Sequence, residues 1–203
     1  MKNYFCSLGV LISALIYMAP VLADDSVIPD NIKRRISRAA MIPDVLQNPG
    51  FEDRDGSGKL SGWFSVVHAG DSYYVDSDDD QAFEGKRSLI IKNTGKPSWG
   101  GANQLIRAER MAGREIELNA QVKASGVSAP GFYVILKIMQ VGRELGFIKM
   151  EDAILGDVEW KKINLRTLLP KETTHLEVSL ILDGDGSIWV DDVHLDLQPL
   201  SRE

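Results

Sequence analysis

Short apolar stretches, in which hydrophobic and polar residues alternate, fill the chain from residue 45 onward. Such alternation, interrupted by Gly, Asp, Asn and Pro, is typical of β-strands joined by turns. The predicted strands are residues 45–47, 63–67, 72–75, 88–92, 103–108, 115–124, 132–140, 145–149, 158–165, 175–182 and 188–197. No stretch in this region has a sustained helical period. The pattern therefore predicts an all-β fold, a two-sheet antiparallel β-sandwich.

Period-two alternation also assigns side chains to faces in three of the predicted strands. Gln121 and Lys123 face away from the core on one strand, Tyr133 and Lys137 on the next, and Glu177 on a third. If these strands share one sheet, its outer face carries all five side chains. That face is either a sugar-binding surface or an ordinary solvated face of a sheet.

The first 23 residues have the features of a secretory signal peptide. Lys2 precedes an apolar run that extends from Leu8 to Leu22, and the small residues Val21 and Ala23 suit signal-peptidase cleavage. The run is short for a membrane span. Cleavage after Ala23 predicts a secreted or periplasmic protein.

Two further segments complete the predicted organisation. Residues 24–44 form an N-terminal lead-in whose basic stretch, residues 32–40, is either solvated or folded as a short helix, and residues 45–203 form the sandwich. The one cysteine, Cys6, lies within the leader, so the mature chain has no disulfide and no cysteine-based zinc site. The net charge of -6 and the pI of about 5.2 disfavour a nucleic-acid partner.

An ordered series of motifs runs through the predicted sandwich. The motifs are NPGFE at residues 48–52, DRDGSGK at 53–59, GW at 62–63, FEGKRSL at 83–89, WKK at 160–162 and GSIWVDDVHL at 186–195. In this order they resemble the carbohydrate-binding modules of families 4, 9 and 22, which are galactose-binding-like jelly rolls. The resemblance covers roughly residues 45–198 and implies the jelly-roll form of the predicted sandwich.

The resemblance also implies a structural Ca²⁺ ion where the opening strand, the FEGKRSL turn and the closing strand meet. Its ligands would be Glu52, the backbone carbonyl near Lys86, and Asp191, all of them the hard oxygens that Ca²⁺ prefers. Asp191 shares strand parity with Trp189 and Val193, so it is expected to point inward, where a bare carboxylate is costly. The alternative is that Asp191 accepts backbone amides and binds no metal.

A sugar-binding site requires exposed aromatic rings beside polar partners. Trp63, Trp160 and Trp189 occupy motif positions that this family uses for core residues. Trp99 lies in a loop-like stretch without large apolar neighbours, where it is either a ligand contact or a lid over the core. The predicted ligand-binding residues are Trp99, Tyr74, Tyr133, Gln104, Gln121 and Lys137.

The function predicted from these features is that of a secreted, non-catalytic, carbohydrate-binding-like module whose partner is a glycan or polysaccharide. The mature chain has no Cys nucleophile, no closely spaced His pair for zinc and no Gly-x-Ser-x-Gly motif, so a hydrolase or lyase is the least favoured class. The alternative is a periplasmic or surface module that binds another protein and no sugar.

Overall fold

The computed structural model describes residues 42, 43, 45–95 and 98–198. The predicted leader, residues 1–23, lies outside these ranges, as does the lead-in at 24–44 except for Ile42 and Pro43. Within the described ranges, no helix has the length and apolar character needed to cross a membrane. The fold below is therefore that of the predicted sandwich domain.

Nine antiparallel strands account for most of the described chain. They are β1 (Phe64–Val67), β2 (Tyr73–Asp78), β3 (Ser88–Asn93), β4 (Trp99–Arg107), β5 (Glu115–Gln140), β6 (Arg143–Lys149), β7 (Ile154–Leu168), β8 (His175–Asp183) and β9 (Ser187–Leu197), with a 3₁₀ turn at Glu109–Met111. Most predicted strands are confirmed within a few residues of their ends. Two predictions are wrong: residues 45–47 form no strand, and the predicted strands 115–124 and 132–140 are one continuous strand, β5.

The long strand β5 passes from one sheet into the other. Its residues 115–125 pair with β9 and β7, whereas residues 131–140 pair with β8 and β6. The pairing register shifts between these halves, around Gly126, which has a φ of 62°. The register thus defines a first sheet, β2-β3-β9-β5-β7, and a second sheet, β1-β4-β8-β5-β6. This confirms the all-β, two-sheet antiparallel sandwich.

Apolar side chains from the inner faces of both sheets fill the core. Among the largest fully buried side chains are Phe51, Leu89, Ile91, Ile106, Leu118, Phe132, Leu136 and Leu182. Trp63 is 5% exposed and its ring lies 5.2 Å from that of Phe51, which confirms its prediction as a core residue. Removing this apolar surface from water, at about 25 cal/mol per Å², is the main source of stability.

Two other tryptophans that were predicted to be core residues lie on the outer face of the first sheet. Trp189 is half-buried, and its Nε1 donates a hydrogen bond to Asp78 Oδ2 at 2.6 Å. Its neighbour Val190 takes the inward position, because alternate residues of a strand face opposite sides. Trp160 is also half-buried and meets the ring of Phe83 edge-on at 5.9 Å.

Candidate functional site

The outer face of the second sheet brings together three of the six predicted ligand residues. Trp99 on β4, and Tyr133 and Lys137 on β5, alternate with core-facing neighbours. Tyr133 lies opposite Ile181 of β8, and Ile181 lies opposite Gly101 of β4, two residues along from Trp99. Trp99 and Tyr133 are thus separated by two strand spacings across the sheet and two residues along it, roughly 12 Å in all, on one surface.

Trp99 is a strand residue rather than a loop residue. It begins β4, is half-buried, and stacks on His68 with ring centroids 5.4 Å apart and planes 17° apart. The glycines that follow it are required by strand packing. A β-carbon at Gly100 would lie 2.5 Å from Tyr73 Cγ, and one at Gly101 would lie 2.1 Å from a carbonyl oxygen of β8. The loop prediction for Trp99 is therefore wrong, because these glycines are not turn residues.

Glu177 accepts hydrogen bonds at the centre of this face. Its Oε1 accepts hydrogen bonds from Lys137 Nζ at 3.2 Å, Asn103 Nδ2 at 3.3 Å and Ser179 Oγ at 3.5 Å. The donors come from three neighbouring strands, β5, β4 and β8. The sheet thus holds a carboxylate, an ammonium and an amide in fixed positions, with the charge of Glu177 offset by Lys137.

Tyr133 has one face of its ring covered by a cation. The Nζ atom of Lys149, on the edge strand β6, lies 3.5 Å from the centre of the ring, which is a cation–π contact. Burial, together with the negative charge of Asp183, raises the pKa of the Tyr133 hydroxyl. A tyrosine hydroxyl is protonated at neutral pH even at its ordinary pKa of about 10, and the shift holds it further in the form that donates a hydrogen bond.

Sequence reasoning missed two exposed aromatic rings on this face. Phe64 on β1 is 69% exposed and lies opposite Asn103, and Phe147 on β6 is 61% exposed and lies opposite Lys137. The signal for Phe64 was present, since its neighbour Trp63 was already assigned to the core and adjacent strand residues face opposite ways. The two rings stand on opposite edge strands, about 19 Å apart across the sheet.

The other three predicted ligand residues lie elsewhere. Tyr74, opposite Lys92, and Gln121 are on the outer face of the first sheet, because β5 changes sheets between Gln121 and the second half of the strand. Gln104 is 1% exposed. Its Oε1 accepts a hydrogen bond from the backbone amide of Gln47, and its Nε2 donates one to the backbone carbonyl of Gln47. The single site that combined all six residues is therefore wrong, and Gln104 is an internal anchor.

Asp191 holds the turn that follows β2. Its Oδ2 accepts the backbone amides of Phe83 and Glu84 at 2.9 and 3.0 Å, and its Oδ1 accepts that of Asp192 at 2.7 Å. The side chain is only 1% exposed. Burial raises the pKa of Asp191, although the three amides act in the opposite direction.

The expected inward orientation of Asp191 is wrong, although its burial is as expected. Asp191 pairs with Gln121 and shares the outer side of β9 with Trp189, where the turn covers it. The register of β9 against β5 shifts at this point, and Asp192 has a φ of 51°. This bulge returns Val193 to the core, so parity counted across it does not hold.

Glu52 meets the same turn from the opening segment. Its Oε1 accepts the backbone amides of Lys86 and Arg87 at 2.7 and 3.0 Å. The residues that the resemblance assigned to Ca²⁺ therefore contact one turn, and two carboxylates are the kind of ligand that Ca²⁺ takes. In the described ranges no three acidic or histidine side chains form a metal-binding group, so backbone carbonyls would have to complete the ligand set.

Several solved structures share this fold. One is the enzymatically active domain of tailspike protein 4 from bacteriophage CBA120, with a TM-score of 0.62 and 14% identity over 76% of this chain and 21% of that chain. Another is the CBM22-1 xylan-binding domain of Paenibacillus barcinonensis Xyn10C, with a TM-score of 0.53 and 20% identity over 77% of this chain and 96% of that chain. A third is TmCBM61 in complex with β-1,4-galactotriose, with a TM-score of 0.50 and 18% identity over 76% of this chain and 99% of that chain.

These similarities concern the fold. The chain has the jelly-roll fold of carbohydrate-binding modules, which confirms the resemblance that its motifs indicated. It spans nearly the whole length of the two modules but only 21% of the tailspike chain. No protein-family model matches the sequence, and no curated protein matches it.

Proposed function

We propose that the outer face of the second sheet binds a glycan or polysaccharide. The observation that carries the proposal is the composition of that face, where the polar group of Lys137, Glu177 and Asn103 lies between the exposed rings of Phe64 and Phe147. Sugars present apolar C–H faces that stack on aromatic rings and hydroxyls that require polar partners. Xylan-binding and galactotriose-bound modules with the same fold support the proposal.

The polar residues of this face are positioned before a ligand arrives. Because Glu177 is already engaged by Lys137 and Asn103, these side chains lose little conformational freedom on binding. The Tyr133 hydroxyl supplies a further donor at neutral pH, as a protonated phenol does. Trp99 supplies an aromatic surface on the same face, at the start of β4. Sugar hydroxyls would bind between the rings, at the centre of the sheet.

Affinity electrophoresis through gels that contain soluble polysaccharides, xylan and β-1,4-galactan among them, tests this proposal. We expect at least one polymer to retard the protein, and Glu177→Gln to raise its Kd about tenfold through loss of charged hydrogen bonds. Tyr74→Ala is the matched control, because it removes an exposed ring from the other sheet. Failure of every polymer to retard the protein, or equal effects of the two variants, would contradict the proposal.

We infer further that the glycan is bound without being cleaved. The CBM22-1 domain and TmCBM61, which this chain spans over nearly their whole length, are binding modules by name, whereas only a small part of the tailspike chain corresponds to it. The leader-like residues 1–23 support a secreted or periplasmic location for this binding. Release of new reducing ends from a polymer that retards the protein would contradict binding without cleavage. An intact N-terminus on the purified protein would contradict the secreted or periplasmic location.

We also propose that a structural Ca²⁺ ion binds at the junction of Glu52 and Asp191. The support is the chemistry of the donors, since Asp191 is buried and burial raises its pKa despite three amide contacts. A bound cation would offset the remaining cost of the buried charge. Glu52, Asp191 and the carbonyl near Lys86 would hold the ion and fix the turn between them.

A protein partner is a second candidate for the same face. Phe64 and Phe147 are more than half exposed, and exposed aromatic rings are enriched in protein interfaces. In that case a partner isolated from the same compartment would bind the purified chain, Phe147→Ala would weaken the complex, and soluble polysaccharides would not displace it. Displacement by a polysaccharide would favour glycan binding instead.

A further inference from the structure

A cleft of about 480 Å³ opens between the two sheets on the side where β6 and β7 form their edges. In the described chain, β6 and β7 pair with β5 and not with each other. The inner wall of the cleft is apolar and receives side chains from both sheets. These are Ile148, Met150, Ile154, Ile163 and Leu165. The cleft belongs to the edge of the sandwich rather than to the outer face of the second sheet.

The rim of the cleft has the opposite charge to the protein as a whole. It carries four basic residues, Lys149, Lys161, Lys162 and Arg166, and two acidic ones, Glu151 and Asp152. Lys161 lies opposite the core residue Val122, so it stands on the inner side of β7, toward the cleft. Lys162 lies opposite Gln121, on the outer side of the same strand, and Arg166 is engaged by Glu115 and Glu117, which leaves Lys149 and Lys161 to attract an anion. The net charge of the chain, in contrast, is -6.

Lys149 connects the cleft with the proposed glycan face. It lines the cleft, and its Nζ lies 3.5 Å from the centre of the Tyr133 ring on the outer face of the second sheet. A polymer that lies across that face therefore passes over β6 at Lys149 before it reaches the cleft. The two surfaces are continuous at this one residue.

We propose that the cleft binds acidic sugar residues and that the ligand of this protein is a carboxylated polysaccharide. The inference rests on the proposed glycan-binding function and names the chemical class of its ligand. Sugar carboxylates bind the ammonium groups of Lys149 and Lys161, and the C–H faces of the same sugars contact the apolar wall. The adjoining aromatic face favours a sugar polymer over an acidic peptide as the occupant.

Two polymers with the same backbone test this inference. Polygalacturonate carries a carboxylate on each sugar, and its carboxyl-reduced form carries a primary alcohol there. Affinity electrophoresis of the full chain is run in both, and in poly-glutamate, at low and high salt. The test variant is Lys161→Gln. The control variant is Lys171→Gln, which removes the same charge from an exposed position outside the cleft.

We expect polygalacturonate to retard the protein more than its reduced form, and the cleft variant, but not the control, to raise the Kd for polygalacturonate about fivefold. High salt should reduce the difference between the polymers. Equal binding of both polymers, or equal effects of the test and control variants, overturns the inference but leaves glycan binding intact. Poly-glutamate that binds as tightly as polygalacturonate, with the same sensitivity to the cleft variant, also overturns it. Absence of binding to any sugar polymer overturns the proposed function as well.

Discussion

Gly85 lies directly against the carboxylate of Glu52, so that a β-carbon at position 85 would stand 2.1 Å from Glu52 Oε1. The same oxygen accepts the amides of Lys86 and Arg87, the two residues that follow the glycine. Gly85 also has a φ of 70°, a conformation that costs other residues free energy. The backbone conformation therefore favours glycine in this turn, and a β-carbon would displace the end of the Glu52 side chain from the two amides that it binds.

Gly85→Ala should destabilise the protein more than a left-handed backbone alone accounts for. We expect a loss of about 1–2 kcal/mol from the backbone and about 1–3 kcal/mol more from displacement of Glu52. Gly58→Ala is the matched control, because Gly58 has a φ of 79° but nothing within 4 Å of its would-be β-carbon. Urea unfolding of both variants measures the difference. Equal losses would show that the contact with Glu52 does not constrain position 85.

Removal of Ca²⁺ should lower the melting temperature of the wild-type protein. A ligand that binds only the native state at about 100 times its Kd adds about 2.7 kcal/mol of stability. For a domain of this size that corresponds to roughly 5–10 °C. Thermal melting with excess Ca²⁺ and with a chelator measures the change. Asp191→Asn is the control and should melt at the same temperature in both conditions, whereas a wild-type protein unaffected by the chelator would remove the proposed ion.

The two adjacent tyrosines of β2 should respond differently to loss of their hydroxyls. Tyr73 is 6% exposed, and its Oη lies 2.8 Å from the carbonyl oxygen of Ser98, 2.6 Å from that of Gly184, and accepts the amide of Gly184 at 3.1 Å. Tyr73→Phe removes the partner of the Ser98 carbonyl and of the Gly184 amide, although the Gly184 carbonyl keeps its hydrogen bond from Asn93 Nδ2 at 3.1 Å, so we expect a loss of about 1–3 kcal/mol. Tyr74→Phe, at a half-exposed position, should change the free energy of unfolding by less than about 0.5 kcal/mol. Similar losses in the two variants, measured by urea unfolding, would contradict this assignment.

Most of the fold was predictable because apolar alternation marks each strand. The path of β5 was not, since Gly126, Pro130 and Gly131 are residues that usually mark turns. In the structure they lie where one strand crosses between the sheets, and the crossing places Gln121 and Lys137 on opposite faces of the sandwich. Which sheet a strand segment joins depends on long-range pairing, which local alternation does not encode.

The candidate site was predictable only in part. Alternation correctly assigned Tyr133 and Lys137 to an outer face, but it gave no information on strand order and therefore did not bring Phe64 to the same face. Trp99 was mistaken for a loop residue because the packing that requires Gly100 involves a distant side chain, that of Tyr73. These errors share one cause, because contacts between residues far apart in sequence decide on which face of the sandwich each side chain lies.

Gln104→Leu and Lys137→Gln should separate stability from glycan binding. The buried amide of Gln104 bonds the backbone of Gln47 in both directions, so Gln104→Leu leaves these groups unpaired and should cost about 1–3 kcal/mol while polymer affinity is unchanged. Lys137 forms a partly exposed ion pair with Glu177, which contributes about 0–1 kcal/mol to stability. Lys137→Gln should therefore leave the urea midpoint nearly unchanged but weaken retardation in affinity gels. If Gln104→Leu weakened binding as much as Lys137→Gln while the protein remained folded, Gln104 would be a ligand residue after all.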